Sequence, residues 1–315
     1  MLNINIPTLT EENIDKELLN ELLNDFNENI NNDINTNANA NTNALNKLLK
    51  TAFSQIQNNK NDALQLYYQP IFNIQVRKIV GVEALLKWNF NSNNSNKKDK
   101  YFSPKKIIRI AEQTNLINDL SEWILKSVCQ KLNQWKKFYK NSWNSIHNNH
   151  LKLSLNISPK QLQQRDFCEM VAAILAKYDV DTKLLEFGFS ESALMQDYDN
   201  NLIVLKKLKQ MGINLLIDNF AGENLPLSKL LHCPTQSVKI DKQIIKNLNN
   251  LDNNKNTFAF CYGLISLCKA LKINVIAKGV ESAKQYEILK GLQCQQAQGF
   301  FIATPMSVEK VEKFF

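Results

Sequence analysis

From residue 64 onward the chain alternates between two hydrophobic periods, and that alternation restricts its fold more than any other feature. Runs rich in β-branched and aromatic residues occupy Leu64–Ile71, Lys78–Lys87, Leu151–Ile157, Leu185–Ser190, Ile213–Asp218, Gln236–Ile240, Ile273–Ala277 and Ala297–Ile302. Between them, apolar residues recur at helical spacing over Pro104–Gln113, Leu120–Phe138, Phe167–Lys177, Asn201–Met211, Phe258–Leu271 and Ala283–Leu289. Strand–helix alternation over so many units specifies an α/β fold with a mostly parallel sheet. The stretch from residue 44 to 315 has the length of a TIM-like (β/α)8 barrel. An open doubly wound sheet is the competing architecture, but no G-x-G-x-x-G turn marks a dinucleotide crevice. Residues 89–99 and 140–150 are polar and read as surface loops.

The first 43 residues are of another kind. Thr8-Leu9-Thr10-Glu11 has the form of a capping box. Ile14, Leu18, Leu19, Leu22, Leu23 and Phe26 then fall on one helical face. Residues 27–43 are mostly Asn and hold too little apolar area to form a core. The expectation is a short helical, Asn-rich segment over 1–43, which docks on the barrel or on a protein partner, and a domain over 44–315 that opens on a helix from Leu45 to Ile56.

Composition narrows the function. No apolar run is long enough for a membrane span, and the N-terminus lacks the basic and apolar regions of a secretory signal. Six cysteines without a C-x-x-C pair read as buried thiols in a reducing cytoplasm. Three histidines do not suggest a histidine-rich metal centre. The net charge of +8 comes from lysines spread through the chain rather than from a basic stripe interleaved with aromatics, so duplex nucleic acid is not an expected partner.

A barrel places its chemistry at the C-terminal ends of its strands. There the chain puts Glu83, Asn156, Glu191, Asp218 and Asn219, Lys239 and Asp241, Lys278 and Glu281, and Gln298. Taken singly, Glu83 reads as a solvent-facing strand residue, and Asp218 and Asp241 as helix N-caps. So many polar residues on one rim need a common reason. Oxygen ligands from several strands suit Mg²⁺ or Mn²⁺, and a lysine among them suits an anionic substrate or the activation of a water.

The residues at these positions resemble the EAL family, the cyclic-di-GMP phosphodiesterase domain of bacterial signalling proteins. Glu83-Ala84-Leu85-Leu86-Lys87-Trp88 corresponds to the signature, with Lys87 where the family has Arg. Asn156-Ile157-Ser158-Pro159-Lys160-Gln161-Leu162 corresponds to N-x-S-x-x-Q-L, and Glu191-Ser192-Ala193-Leu194-Met195, Lys239-Ile240-Asp241, Gly279-Val280-Glu281 and Gln298-Gly299 also match. The resemblance implies a (β/α)8 barrel with an antiparallel first strand. It implies two divalent ions that activate water to open cyclic-di-GMP to linear pGpG. Carried over, Glu83, Asn156, Glu191 and Asp218 are the metal ligands, and Glu83 and Lys239 the catalytic residues. Gln69, Lys87, Asn156, Glu191, Asp218, Lys239, Lys278, Glu281 and Gln298 form the ligand-binding set.

The chain departs from the family pattern at three acids. E-I-T-E-S becomes Gly188-Phe189-Ser190-Glu191-Ser192, D-D-F-G becomes Asp218-Asn219-Phe220-Ala221, and A-E-G-V-E becomes Ala277-Lys278-Gly279-Val280-Glu281. The first two changes each add one unit of positive charge and the third adds two. Together they equal the charge of two divalent ions. The loop that follows, Glu223-Asn224-Leu225-Pro226, does not match the family. The expectation is a degenerate member without phosphodiesterase activity and without a metal cofactor, acting as a cyclic-di-GMP receptor or a protein-interaction regulator. The alternative is an active phosphodiesterase using Mg²⁺ or Mn²⁺.

Overall fold

The computed structural model describes residues 64–90, 100–102, 104–138, 151–222, 225–249 and 255–314. The two helices expected before residue 64, and most of the two polar loops, lie outside these residues. Strands β1 (Leu64–Asn73) and β2 (Lys78–Phe90) are joined by a turn at Ile74–Arg77; β3 (Lys100–Phe102), β4 (Lys152–Asn156), β5 (Leu185–Ser190), β6 (Asn214–Phe220), β7 (Ser237–Ile240), β8 (Asn274–Lys278) and β9 (Gln296–Gln298) follow. Pairing runs β1-β9-β8-β7-β6-β5-β4-β2, and β2 pairs back with β1, so eight strands close a barrel. The pairs from β2 through β4 to β9 are parallel, while β1 lies antiparallel to β9. The antiparallel first strand implied by the resemblance is therefore present.

The chain divides by packing into two units, Leu66–Lys87 with Ile117–Phe315, and Met1–Gln65 with Trp88–Leu116. In the second of these, Trp88, Asn89 and Phe90 pair antiparallel with Phe102, Tyr101 and Lys100. Helix Pro104–Gln113 buries Ile107, Ile110 and Ala111, a spacing of three and four that keeps them on one face. It ends at Asn115, whose left-handed φ of 57° breaks the helical path.

In the barrel unit, residues two apart on a strand share a face. Leu216 and Ile276 meet Ile71 in an apolar cluster. Asp218 and Lys278, two residues further along, therefore stand on that same face. Outside the strands the main core joins them to the helices, with Trp135, Phe187, Phe189 and Phe220 among its largest buried side chains. Trp135 lies 5.8 Å from the Tyr68 ring and donates from Nε1 to Glu312 Oε1 at 2.7 Å. Among the described residues, no helix is long and apolar enough to cross a membrane.

The turns leaving the strands are fixed by caps. Ser158 and Gln161 form a reciprocal capping box after β4, and Ser282 and Gln285 form another after β8. The Ser190 hydroxyl accepts from Ala193 N–H at 3.0 Å, and Asp241 Oδ1 accepts from Gln243 N–H at 2.7 Å. Asp241 is thus the N-cap that its sequence suggested. The last strand stops at Gln298, short of the run Ala297–Ile302, because the chain turns at Gly299, whose carbonyl accepts from the Ile302 and Ala303 N–H groups at 3.0 Å. A side chain there would strike the Val280 backbone, its Cβ 2.2 Å from N and O.

Replacing Trp135 by Ala removes a fully buried ring that unites β1, helix Ile117–Phe138 and the C-terminal turn. Urea unfolding is expected to show a loss of about 3–5 kcal/mol, whereas Trp135→Phe retains more than half of that.

Candidate functional site

Glu83 lies near the middle of β2 with its side chain buried, 3% exposed. A lone buried carboxylate would take up a proton to escape the cost of desolvation. Here it is surrounded by donors. Lys239 Nζ is 2.8 Å from Oε2, Gln298 Nε2 donates to the same oxygen at 2.8 Å, and Asn156 Nδ2 donates to Oε1 at 2.9 Å. The reading of Glu83 as a solvent-facing residue is replaced by a buried ion pair, because strand parity turns it into the barrel. Lys239 is completely buried.

The pair sets both protonation states. Burial pushes the Glu83 pKa up, but the ammonium groups of Lys239 and Lys278 outweigh it and hold the carboxyl down at about 2. Burial pulls the Lys239 pKa down, yet Glu83 and Asp218 leave it raised. Both groups are therefore charged across the neutral range.

A second charged group stands beside the first. Lys278 Nζ donates to Asp218 Oδ1 at 2.8 Å and Oδ2 at 2.7 Å, and to Asn219 Oδ1 at 3.1 Å. The strand ends that carry these residues are locked together. Gly279 N–H and Val280 N–H both donate to the Gln298 carbonyl, and Gly279 takes a φ of 79° that a side chain would disfavour. Glu191, 1% exposed, accepts from Ala221 N–H at 2.9 Å and so ties the turn after β6 to the start of the helix that follows β5.

The other expected residues are placed differently. Gln69 is buried and donates to the Ala303 carbonyl at 3.1 Å. The Lys87 ammonium lies 4.2 Å above the Tyr67 ring. Asn156 is exposed at the end of β4, although its amide reaches Glu83. Glu281 is also exposed, and its backbone N–H donates to Gln285 Oε1. Sequence reading missed Glu186, which is buried with Ser154 donating at 2.6 Å, Ser237 at 3.1 Å and Lys152 3.9 Å away. Its signal was parity: Glu186 lies two residues before Gly188 and so faces the same way.

The donors fit a metal ion poorly. Both Glu83 oxygens and both Asp218 oxygens already accept from, or pair with, nitrogen groups. Among the described residues, no group of three or more His, Cys, Asp and Glu side chains could hold a metal. What the mouth offers instead is unsatisfied polarity. Gln298 Oε1 is buried without a hydrogen-bond partner, and Lys239 Nζ, with Glu83 Oε2 2.8 Å away, still has N–H groups to spare, since an ammonium carries three.

A family model described as EAL domain matches residues 51–305. The signaling protein YkoW of Bacillus subtilis is 31% identical over 256 residues, covering 81% of this chain and 30% of its own length. The cyclic di-GMP phosphodiesterase PA2567 of Pseudomonas aeruginosa is 27% identical over 264 residues, covering 84% of this chain and 42% of its own. A solved structure of the PaMucR phosphodiesterase in complex with c-di-GMP superposes with a TM-score of 0.71 at 27% identity, covering 84% of this chain and 99% of that one. The chain spans less than half the length of these curated relatives.

The ion pair predicts a pH window. Glu83 has a folded pKa below its ordinary value, so its contribution is present above about pH 4.5 and is lost as pH falls toward about 2. Lys239, with a raised pKa, contributes below its ordinary value and loses that contribution as pH rises through the folded one. Lys239→Met leaves Glu83 buried and unpaired and is expected to cost about 3–5 kcal/mol at neutral pH. The double variant with Glu83→Gln should regain most of that and flatten the acid limb of the urea midpoint plotted against pH.

Proposed function

The chain belongs to the EAL domain family, and we propose that it receives cyclic-di-GMP at the barrel mouth without hydrolysing it. The observation that carries this reading is the pair of incompletely satisfied groups beside Glu83. Lys239 Nζ has donor capacity to spare and Gln298 Oε1 is an unused acceptor, both on buried side chains. Orphaned polar atoms in a native interior call for a partner. A nucleotide offers both kinds, phosphate oxygens to accept and base or ribose groups to donate. The names of the relatives supply the ligand class: one is a cyclic di-GMP phosphodiesterase, and another was solved as a c-di-GMP complex.

The same geometry supports binding without hydrolysis. Metal-assisted cleavage needs carboxylates free to hold the ion that activates water. Glu83 is engaged by Lys239, Gln298 and Asn156, and Asp218 by Lys278. Gly188 and Asn219 supply no carboxylate. Under this reading the protein needs no cofactor. Mg²⁺ or Mn²⁺ belongs to the alternative, an active phosphodiesterase in which Glu83, Asn156, Glu191 and Asp218 give up these partners.

A second reading, regulation through a protein contact, is favoured by a groove away from the mouth. Its volume is about 390 Å³; Phe72, Ile79, Ile302 and Phe314 line it together with Arg77 and Lys78. That surface suits an apolar segment bearing acidic side chains.

Calorimetry in the presence of a chelator is expected to show saturable heat with cyclic-di-GMP, and Gln298→Ala should weaken binding by about tenfold. No pGpG should form when Mg²⁺ or Mn²⁺ is added. Absence of heat at high micromolar ligand removes the receptor reading. Conversion to pGpG that Glu83→Ala abolishes would establish the enzyme instead.

A further inference from the structure

We propose that the Lys278 ammonium is a resident cation, standing where a metal-dependent mouth would hold an ion and excluding that ion. The nitrogen sits among three oxygens, Asp218 Oδ1 at 2.8 Å, Asp218 Oδ2 at 2.7 Å and Asn219 Oδ1 at 3.1 Å. Several oxygens converging on one positive centre is the arrangement by which proteins hold hard cations. Here the charge is tethered, so the cradle is filled at any concentration of free ion. A divalent ion could use the Asp218 carboxylate only after the ammonium had left it, and that ammonium cannot diffuse away.

The neighbouring space is closed by a different device. A Cβ added at Gly188 would lie 2.5 Å from Asn156 Oδ1, so the Asn156 amide occupies the room that an acid at 188 would need. The same amide donates to Glu83. Removing Lys278 therefore frees one cation position and not two. Lys239 cannot refill it, because it is completely buried against Glu83.

This inference rests on reading the mouth as independent of metal, but its test uses no nucleotide. A chain that failed to bind cyclic-di-GMP would leave it standing. Mn²⁺ is titrated into the full chain and followed by electron paramagnetic resonance, in the wild type, in Lys278→Ala combined with Asn219→Asp, and in Lys278→Gln. The double variant is expected to bind close to one Mn²⁺ per chain, at least roughly tenfold more tightly than the wild type. Lys278→Gln removes the charge but keeps a polar amide, one atom shorter, beside Asp218, and should show a smaller gain. Thermal unfolding gives the second readout, since an ion that binds the folded form raises Tm. Mn²⁺ should raise Tm in the variants and not in the wild type. Wild-type affinity equal to that of the variants, or no gain on removing Lys278, overturns the proposal. Two ions per chain in the double variant overturn the part assigned to Asn156.

Discussion

The Glu83–Lys239 pair is the contact on which the barrel interior depends. It brings a carboxylate from β2 against an ammonium from β7, with the Gln298 amide of β9 and the Asn156 amide of β4 completing the shell. Neither ion could be left there alone, since the cost of an unpaired charge in a dry interior exceeds what a single packing contact restores. The pair also fixes register. A slip of β7 by one residue would turn Lys239 to the outer face and leave Glu83 without its counter-ion. Four strands are thus held in phase by one point of opposite charge.

Lys278 extends the same logic toward the opening. Its side chain remains 27% exposed, against complete burial for Lys239, so the two lysines have different freedom. The turn after β6 passes through left-handed backbone at Asn219 and at Ala221, with φ of 56° and 62°. For alanine that conformation is strained, by of order 1 kcal/mol. Two contacts offset it from opposite sides: Glu191 accepts from the Ala221 N–H, and Lys278 reaches the Asn219 side chain. The acid at 191 is therefore a tether for this turn, whatever else binds nearby.

The strand–helix rhythm could be read in the chain because period two and period 3.6 are local properties. Leu185–Ser190 and Pro104–Gln113 fall at the residues expected. The errors came from contacts between distant residues. No period in Ala297–Ile302 reveals that the strand stops after Gln298, where the chain turns at Gly299 against the distant Val280 backbone. The three residues of β3 are too few to show a period. At the mouth, residue types were visible and pairings were not. Glu83 could be seen as an acid in an apolar run, but its choice of Lys239 over Lys278 depends on which strands face each other across the barrel. Glu281 carries a matching motif and yet points to solvent, since a motif fixes chemistry along the chain and leaves orientation to the turn that follows.

The signature and the reaction are therefore separable quantities. The barrel strands and helix caps make no use of the side chains at 219 and 278, at the ends of β6 and β8, while at 188 the Asn156 amide takes the room a side chain would need, its Oδ1 2.5 Å from where a Cβ would stand. What these three positions do control is the charge the mouth presents to an anion. With acids there, neutrality needs free divalent ions and the pocket's field varies with their concentration. With Gly188, Asn219 and Lys278, the balancing charge is covalent and the field is constant. Under the receptor reading proposed above, a pocket of constant field holds a phosphate and has no exchangeable ion on which to make hydroxide from water. Binding and cleavage, joined in a metal-dependent site, come apart once the cation becomes a side chain.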